Sequence, residues 1–163
     1  MIHKFSAMID SLCLCIIGKF FRTETITGPD GTPYLTRYHI LNNKKWWSFS
    51  RKLYIHNILR SDFDRDPHCH PWNFVSILLK GSYKEYNRIE TKFGEEIIET
   101  EWPRLSVVQH NAADAHRLEL ENGPVWTLVF VGPKIRDWGF YTPSGFVPNE
   151  EYIKAKHGDD FMM

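Results

Sequence analysis

Two histidines separated by a single residue are the strongest chemical signal in the sequence. His68 and His70 stand between an acidic segment, residues 62–66, and an apolar segment, residues 72–79. If they open a strand, residues two apart project to the same side, so both imidazoles face one cavity while Cys69 points away. Neutral imidazole nitrogens bind zinc, iron, copper and nickel. The pair therefore predicts half of a metal site, and the alternative is a hydrogen-bonded pair at a strand entrance.

Several aromatic and imidazole side chains are predicted to line the same cavity. Trp72 and Phe74 continue the alternation of the two histidines, which places them beside the metal. Tyr54 and His56 share one face of an earlier strand. The opposite face carries the apolar residue Ile55, so either face could be turned toward the cavity. His110 is expected either to line the cavity mouth or to lie in an exposed loop. These are candidate substrate-binding residues, and the sequence assigns no catalytic residue.

The elements that must position these side chains are mostly short strands. Beyond residue 22, turn sequences recur about every ten residues, as at 28–31 and 122–124, and strand-like segments lie between them. A short helix is expected over residues 150–156. Regular short strands with turns between them predict an all-β fold of the sandwich, jelly-roll or barrel type.

The first 22 residues have a different pattern. Apolar residues recur there at helical spacing, which predicts an amphipathic helix packed on the barrel: Ile2, Phe5, Met8, Ile9, Leu12, Ile16 and Phe20. The alternatives are packing on a partner chain or on a membrane surface. We predict two parts, this helix over residues 1–22 and one β-barrel domain over residues 23–163.

Composition excludes some classes of partner. The 163 residues contain 20 basic and 20 acidic side chains and have a formal net charge of zero, so no electrostatic footprint for nucleic acid is present. The longest uninterrupted apolar segment, residues 12–17, is much shorter than the roughly 20 residues of a membrane span. Three cysteines form no disulfide framework, which indicates a reducing compartment, and we expect a cytoplasmic protein.

Read together, two segments of the chain resemble the two-motif signature of the cupin superfamily. The first runs from His68 through His70 to Gly81, and the second, residues 111–117, is a turn followed by His116. The resemblance covers residues 52–131. It is closest to small bacterial and phage proteins with a His-x-His-Pro-Trp segment, here residues 68–72, and a later Trp-Gly-Phe segment, here residues 138–140. It implies a double-stranded β-helix, or jelly roll, with a metal held by His68, His70 and His116.

The sequence departs from the cupin pattern at one position that bears on chemistry. The superfamily usually has a glutamate four or five residues after the second histidine, where this chain has Phe74 and Val75. Asp66, two residues before His68, could supply a carboxylate instead, although we interpret it as a loop residue or a partner of a ligand. Three neutral histidines would leave the metal two or three open positions.

The resemblance also implies a function. Three-histidine iron sites of this kind occur in cupin thiol and β-diketone dioxygenases, so we expect an Fe(II)-dependent, dioxygenase-like enzyme acting on a small molecule, with zinc or nickel as alternative metals. Two alternatives stay open. One is a non-catalytic barrel that binds a small molecule, and the other is a sugar-nucleotide epimerase or isomerase that uses Tyr54, His56 or His110 as acid and base. The resemblance leaves a homodimer open, because cupins often pair through barrel faces, and the pair Trp46–Trp47 would suit either the core or a dimer contact.

Overall fold

The computed structural model describes residues 20–28, 30–42 and 52–157. The predicted N-terminal helix, residues 1–22, lies outside the described residues except for its last three positions. The first strand already begins at Arg22, so the helix cannot extend to that residue. The tryptophan pair at 46–47 also lies outside the described residues. No helix in the described part of the chain has the length and apolar character needed to cross a membrane.

Strands dominate the described residues, which contain eleven of them and one helix at the C-terminal end. The elements are β1 (Arg22–Thr27), β2 (Pro33–Asn42), β3 (Lys52–Ile58), β4 (Phe74–Lys80), β5 (Tyr83–Thr91), β6 (Gly94–Trp102), β7 (Val107–His110), β8 (Ala115–Leu120), β9 (Val125–Val131), β10 (Gly139–Thr142), β11 (Gly145–Pro148) and α1 (Asn149–His157).

The strands form two antiparallel layers. The larger sheet has the order β1-β2-β3-β9-β4-β7, and the smaller one contains β6-β5-β8. His68 makes isolated bridges to His116 on β8 and to Phe140 on β10, so the segment around it continues the smaller sheet toward the β10-β11 hairpin. Strands distant in sequence are neighbours in both layers, as β3, β9 and β4 are. This topology is a jelly roll, and the predicted all-β jelly-roll class is confirmed.

The predicted strands agree well with the observed ones, with two differences. β1 and β2 pair antiparallel on the two sides of the predicted turn, and α1 covers the predicted C-terminal helix. The strand β11 was not predicted. In addition, His68 and His70 do not open β4, which begins only at Phe74. They lie in an extended segment that is held between other strands, so they still project together.

The space between the layers is filled at one end and open at the other. A cluster of buried side chains closes the filled end: Leu35, Ile58, Leu78, Tyr83, Val108 and Val125. Toward the other ends of the same strands, a smaller group of Tyr54, Val129 and Val131 packs against Trp72 and Phe74. Because this group does not fill the space between the sheets, a cavity remains there.

The turn between β4 and β5 depends on Gly81. Its φ is 81°, and a Cβ at this position would lie 2.9 Å from Val125 Cγ2 and 3.2 Å from the Pro124 carbonyl oxygen. We expect Gly81→Ala to lower the free energy of unfolding by about 2 kcal/mol or more, because the alanine adds a steric clash to the cost of a left-handed backbone. Urea denaturation measures this loss.

Gly31 offers a matched control for that substitution. Its φ is 73°, but apart from its chain neighbours no heavy atom of the described residues lies within 4 Å of the added Cβ. Gly31→Ala should therefore cost only the backbone part, about 1 kcal/mol. Equal losses in the two variants would show that the contact with Val125 is not important.

Candidate metal centre

A cavity of about 490 Å³ lies between the two layers. Its wall includes all the side chains that the sequence predicts there: Tyr54, His56, His68, His70, Trp72, Phe74, His110 and His116. Apolar residues from β2, β3 and β9 supply much of the remaining wall, and Arg37 on β2 is the arginine that lines it among the residues the structure describes. The cavity can therefore enclose a small molecule beside a group of imidazoles.

Three of these imidazoles converge, and we call His68, His70 and His116 the three-histidine cluster. One ring nitrogen from each lies within 4.8 Å of those of the other two. The His70 and His116 Nε2 atoms are 2.8 Å apart. Ring centroids are 5.0 Å apart for His68–His70 and for His70–His116, and 5.2 Å apart for His68–His116. Residues separated by 46 positions in sequence thus meet at one point.

Backbone hydrogen bonds hold the cluster in place. The His68 N–H donates to the His116 carbonyl at 2.9 Å, and the His116 N–H donates back to the His68 carbonyl at 3.0 Å. The next two residues are held by two other segments of the chain. The Cys69 N–H donates to the Gly139 carbonyl, and the His70 N–H donates to the Ala112 carbonyl. Cys69 is fully buried, and it is not part of the cavity wall. The segment therefore presents its two histidines from a backbone that is fixed on both sides.

Glu85, on β5, is the site residue that sequence reasoning missed. It is 1% exposed, and its Oε1 accepts a short hydrogen bond from His116 Nδ1 and lies 3.3 Å from His110 Nε2. Its Oε2 accepts a hydrogen bond from Trp102 Nε1 at 2.7 Å. Because the proton of His116 sits on Nδ1 in this arrangement, the Nε2 lone pair is directed to the cluster.

A second group of potential ligands lies next to the first. Glu85, His110 and His116 also approach within 4.8 Å of one another. However, the Glu85 carboxylate is already engaged by His116, His110 and Trp102, whereas the facing Nε2 atoms of His70 and His116 have only each other as partners among the described residues. The three-histidine cluster therefore has the less engaged nitrogen atoms of the two groups, and Glu85 accepts a hydrogen bond from one of its members.

His110 lies deeper than the sequence suggested. It is 4% exposed on β7, directly opposite Phe74 on β4, and the two rings stack with centroids 4.6 Å apart. Phe74 in turn packs edge-on against His70 at 4.8 Å. At the position where cupins usually have a glutamate, this chain thus places an aromatic ring between two histidines.

The Asp62 carboxylate lies close to His68. Its Oδ2 is 3.9 Å from His68 Nδ1 and accepts the backbone N–H of Leu118 at 2.7 Å, while Oδ1 accepts a short hydrogen bond from the Tyr34 hydroxyl. Asp66, which the sequence offered as an alternative ligand, instead accepts a hydrogen bond from the Tyr152 hydroxyl at 2.6 Å. Asp66 therefore ties α1 to the barrel and is not grouped with the histidines.

The cluster fits a first-row divalent metal. Metal–nitrogen bonds of roughly 2.0–2.1 Å place two ligand nitrogens at right angles about 2.9 Å apart, close to the 2.8 Å between His70 and His116 Nε2. Burial lowers the pKa of both of these histidines well below 6.5, and neighbouring imidazoles lower it further. They are therefore neutral, which is the protonation state that binds metal.

The buried histidines predict a pH-dependent stability of the metal-free protein. Burial also lowers the pKa of His110, against the opposing effect of Glu85, and it lowers that of His56 to about 3. In the unfolded chain such groups take up protons near pH 6.5, so unfolding binds protons below that pH. We expect the free energy of unfolding to fall as pH decreases from about 6.5, by up to about 1.4 kcal/mol per pH unit for each such histidine.

Urea titrations in the presence of a chelator, at several values between about pH 7 and about pH 5, test this expectation. The variant His56→Gln should show a slope smaller by roughly one proton. Identical slopes in the variant and the wild-type protein would contradict the neutral state of His56.

Comparisons with known proteins establish the fold. The sequence matches no family model and no curated protein. Among solved structures it is similar to Fe(II)-HppE crystallised with the alternative substrate (S)-1-HPP, at 13% identity over 71% of this chain and 57% of that chain, with a TM-score of 0.54. The hydroxypropylphosphonic acid epoxidase from S. wedmorenis matches with 13% identity, over 69% and 56% of the two chains, and a TM-score of 0.50.

A globulin is also among the structures with a similar fold. The 7S globulin of Momordica charantia matches at 10% identity over 75% of this chain and 36% of that chain, with a TM-score of 0.52. This chain thus spans little more than half the length of the HppE chains, and about a third of the globulin. The topology and these similarities define a cupin-type jelly roll.

Proposed function

We propose that this protein is a metal-dependent enzyme of the cupin type, that ferrous iron is its active metal, and that it oxidises a small molecule held in the cavity. One observation carries the proposal: three imidazoles converge on a cavity of about 490 Å³. No carboxylate joins them from the position of Phe74. His68, His70 and His116 would hold the metal and leave it two or three open positions.

Two further observations favour iron over a purely structural ion. Structural zinc sites are closed by four protein ligands, whereas the three-histidine cluster offers three on the wall of a cavity. HppE, one of the structural neighbours, was crystallised with Fe(II). When bound, ferrous iron supplies the redox chemistry by which dioxygen is activated.

The residues of the chain have separate tasks in this proposal. Glu85 keeps His116 in the tautomer that directs Nε2 to the metal. Phe74 and Trp72 are apolar walls that limit the access of water and shape the space next to the open positions. Zinc in the same site would favour hydration or hydrolysis instead, so the identity of the metal decides the reaction.

The other functions considered have weaker support. Epimerases and isomerases that work without metal need an acid and a base in the cavity. His56 is poorly suited as that base, because its Nε2 accepts a hydrogen bond from Arg37 Nε at 3.2 Å and its pKa is lowered to about 3. A non-catalytic binding barrel would use the same cavity, and it differs from our proposal only in lacking turnover.

Oxygen consumption tests the proposal directly. Protein purified without chelator is loaded with Fe(II) or with Zn(II) and supplied with a panel of thiols, β-diketones and catechols. We expect oxygen uptake only in the iron-loaded protein and only with some of these compounds. Absence of uptake with every compound, combined with ligand-induced thermal stabilisation, would favour the binding barrel instead.

A further inference from the structure

We propose that Arg37 and His56 bind an oxyanion group of the substrate, such as a carboxylate, while another part of the same molecule faces the three-histidine cluster. This inference rests on the proposed function, since it names the class of substrate that the cavity accepts. Both residues line the cavity from paired positions on β2 and β3.

Arg37 is a cation in a cavity wall that is largely apolar. Its Nε donates to His56 Nε2 at 3.2 Å, and its Nη1 donates to Glu24 Oε2 at 3.4 Å. Its guanidinium carbon lies 4.9 Å from the centroid of the Tyr54 ring, which holds the group against one side. No described residue accepts a hydrogen bond from Nη2. An arginine fixed in this way presents N–H groups suited to the oxygens of a carboxylate or phosphonate.

Glu24 neutralises Arg37 only in part. Its side chain is 42% exposed, its distance to Arg37 is long, and the same Oε2 also lies 3.1 Å from His39 Nε2. An ion pair of this kind contributes little stability and is screened by solvent. The positive charge of Arg37 is therefore available to a ligand in the cavity.

His56 supplies a second donor. Because Arg37 Nε donates to its Nε2, the proton of the neutral ring is on Nδ1. Among the described residues, none accepts a hydrogen bond from that nitrogen, and the ring stacks on Tyr54 with centroids 5.6 Å apart. A donor held on the wall of a cavity and left without a partner would be satisfied by an oxygen of the ligand.

The position of His56 links the two parts of the cavity. It lines the same cavity as His70. Arg37 and His56 face each other across the β2–β3 pair, so the proposed oxyanion subsite and the three-histidine cluster border one continuous space. A small bifunctional acid could occupy both at once.

Matched ligands test this inference with a readout other than activity. Mercaptoacetate, mercaptomethylphosphonate and mercaptoacetamide share a thiol. The first carries a carboxylate, the second a phosphonate and the third a neutral amide. Their affinities for the zinc-loaded protein are measured by calorimetry. We expect at least one acid to bind about tenfold or more tightly than the amide, because charge-assisted hydrogen bonds to Arg37 are lost with the neutral ligand. A larger affinity for either acid identifies the oxyanion.

Substitutions assign this preference to Arg37. Arg37→Gln should remove most of the preference for the acid, and Arg37→Lys should keep part of it. Arg104→Gln, at an exposed position outside the cavity wall, should leave it unchanged. Thermal melting shows that each variant is folded, and if Arg37→Gln is not, the comparison rests on Arg37→Lys and on His56→Phe, which should each weaken the preference. An unchanged ratio in the folded Arg37 and His56 variants would overturn the inference.

The same series separates this inference from the proposed function. Equal binding of acid and amide by a protein that holds metal would refute the oxyanion subsite and leave the metal centre standing. If the protein holds no metal, benzoate and benzamide replace the thiols, and a preference for benzoate that depends on Arg37 supports the subsite while the proposed function fails. Equal binding of benzoate and benzamide by that protein would overturn both.

Discussion

Replacement of His70 by alanine should abolish stoichiometric metal binding. The three-histidine cluster provides only three protein ligands, and two of its nitrogens face each other at 2.8 Å. A buried metal site derives roughly 3–4 kcal/mol from each ligand, so the loss of one should weaken binding by about 100- to 1,000-fold. Oxygen uptake should disappear together with the metal.

Elemental analysis of protein purified without chelator, followed by competition with a chelator, measures this change. His39→Ala is the matched control, because His39 is a half-buried histidine on β2 that belongs to neither group of potential ligands. It should retain the metal. The metal-dependent increase in melting temperature should also be absent from His70→Ala, since a ligand stabilises only the protein that binds it. Normal metal content in His70→Ala would refute the three-histidine assignment.

Replacement of Glu85 by glutamine should weaken metal binding by about 10- to 100-fold, although Glu85 is not one of the proposed ligands. Removal of a carboxylate that orients a metal-binding histidine typically has an effect of this size. A glutamine can still accept from Trp102 or from His116, but it cannot satisfy all the donors that now meet at Glu85. His116 then loses the fixed tautomer that directs Nε2 to the metal.

The stability of the metal-free protein should change as well. Glu85→Ala leaves the Trp102 and His116 N–H donors without their common acceptor and opens a gap beside His110, and we expect a loss of about 3 kcal/mol or more in the free energy of unfolding. Glu119→Gln is the control, since Glu119 lies on the same strand as His116 and pairs at the surface with Arg117. It should change neither metal affinity nor stability by more than about 0.5 kcal/mol. A Glu85→Gln variant with wild-type affinity for metal would mean that the tautomer of His116 is set in another way.

Much of the fold was predictable from local patterns. Turn residues at 28–31 and at 122–124 separate segments that became strands, because glycine, proline, asparagine and aspartate favour the backbone angles of turns whatever lies around them. β11 was missed since its four residues carry no clear alternation and it pairs only with β10. The similarity of the two histidine segments to a known superfamily signature then supplied the class of jelly roll that the strand pattern alone left open.

The sequence by itself determined which imidazoles were candidates, because a spacing of two fixes a common side in any extended chain. Their grouping with Glu85 was decided by the register of β5 against β8, which pairs Asn87 with His116 and so sets Glu85, two residues earlier, diagonally beside it. The pairing of β2 with β3 similarly set Arg37 opposite His56. Registers between strands distant in the chain depend on the packing of both layers at once, and no local spacing encodes them. Only the tertiary structure could therefore show which charged side chains are buried around the histidines.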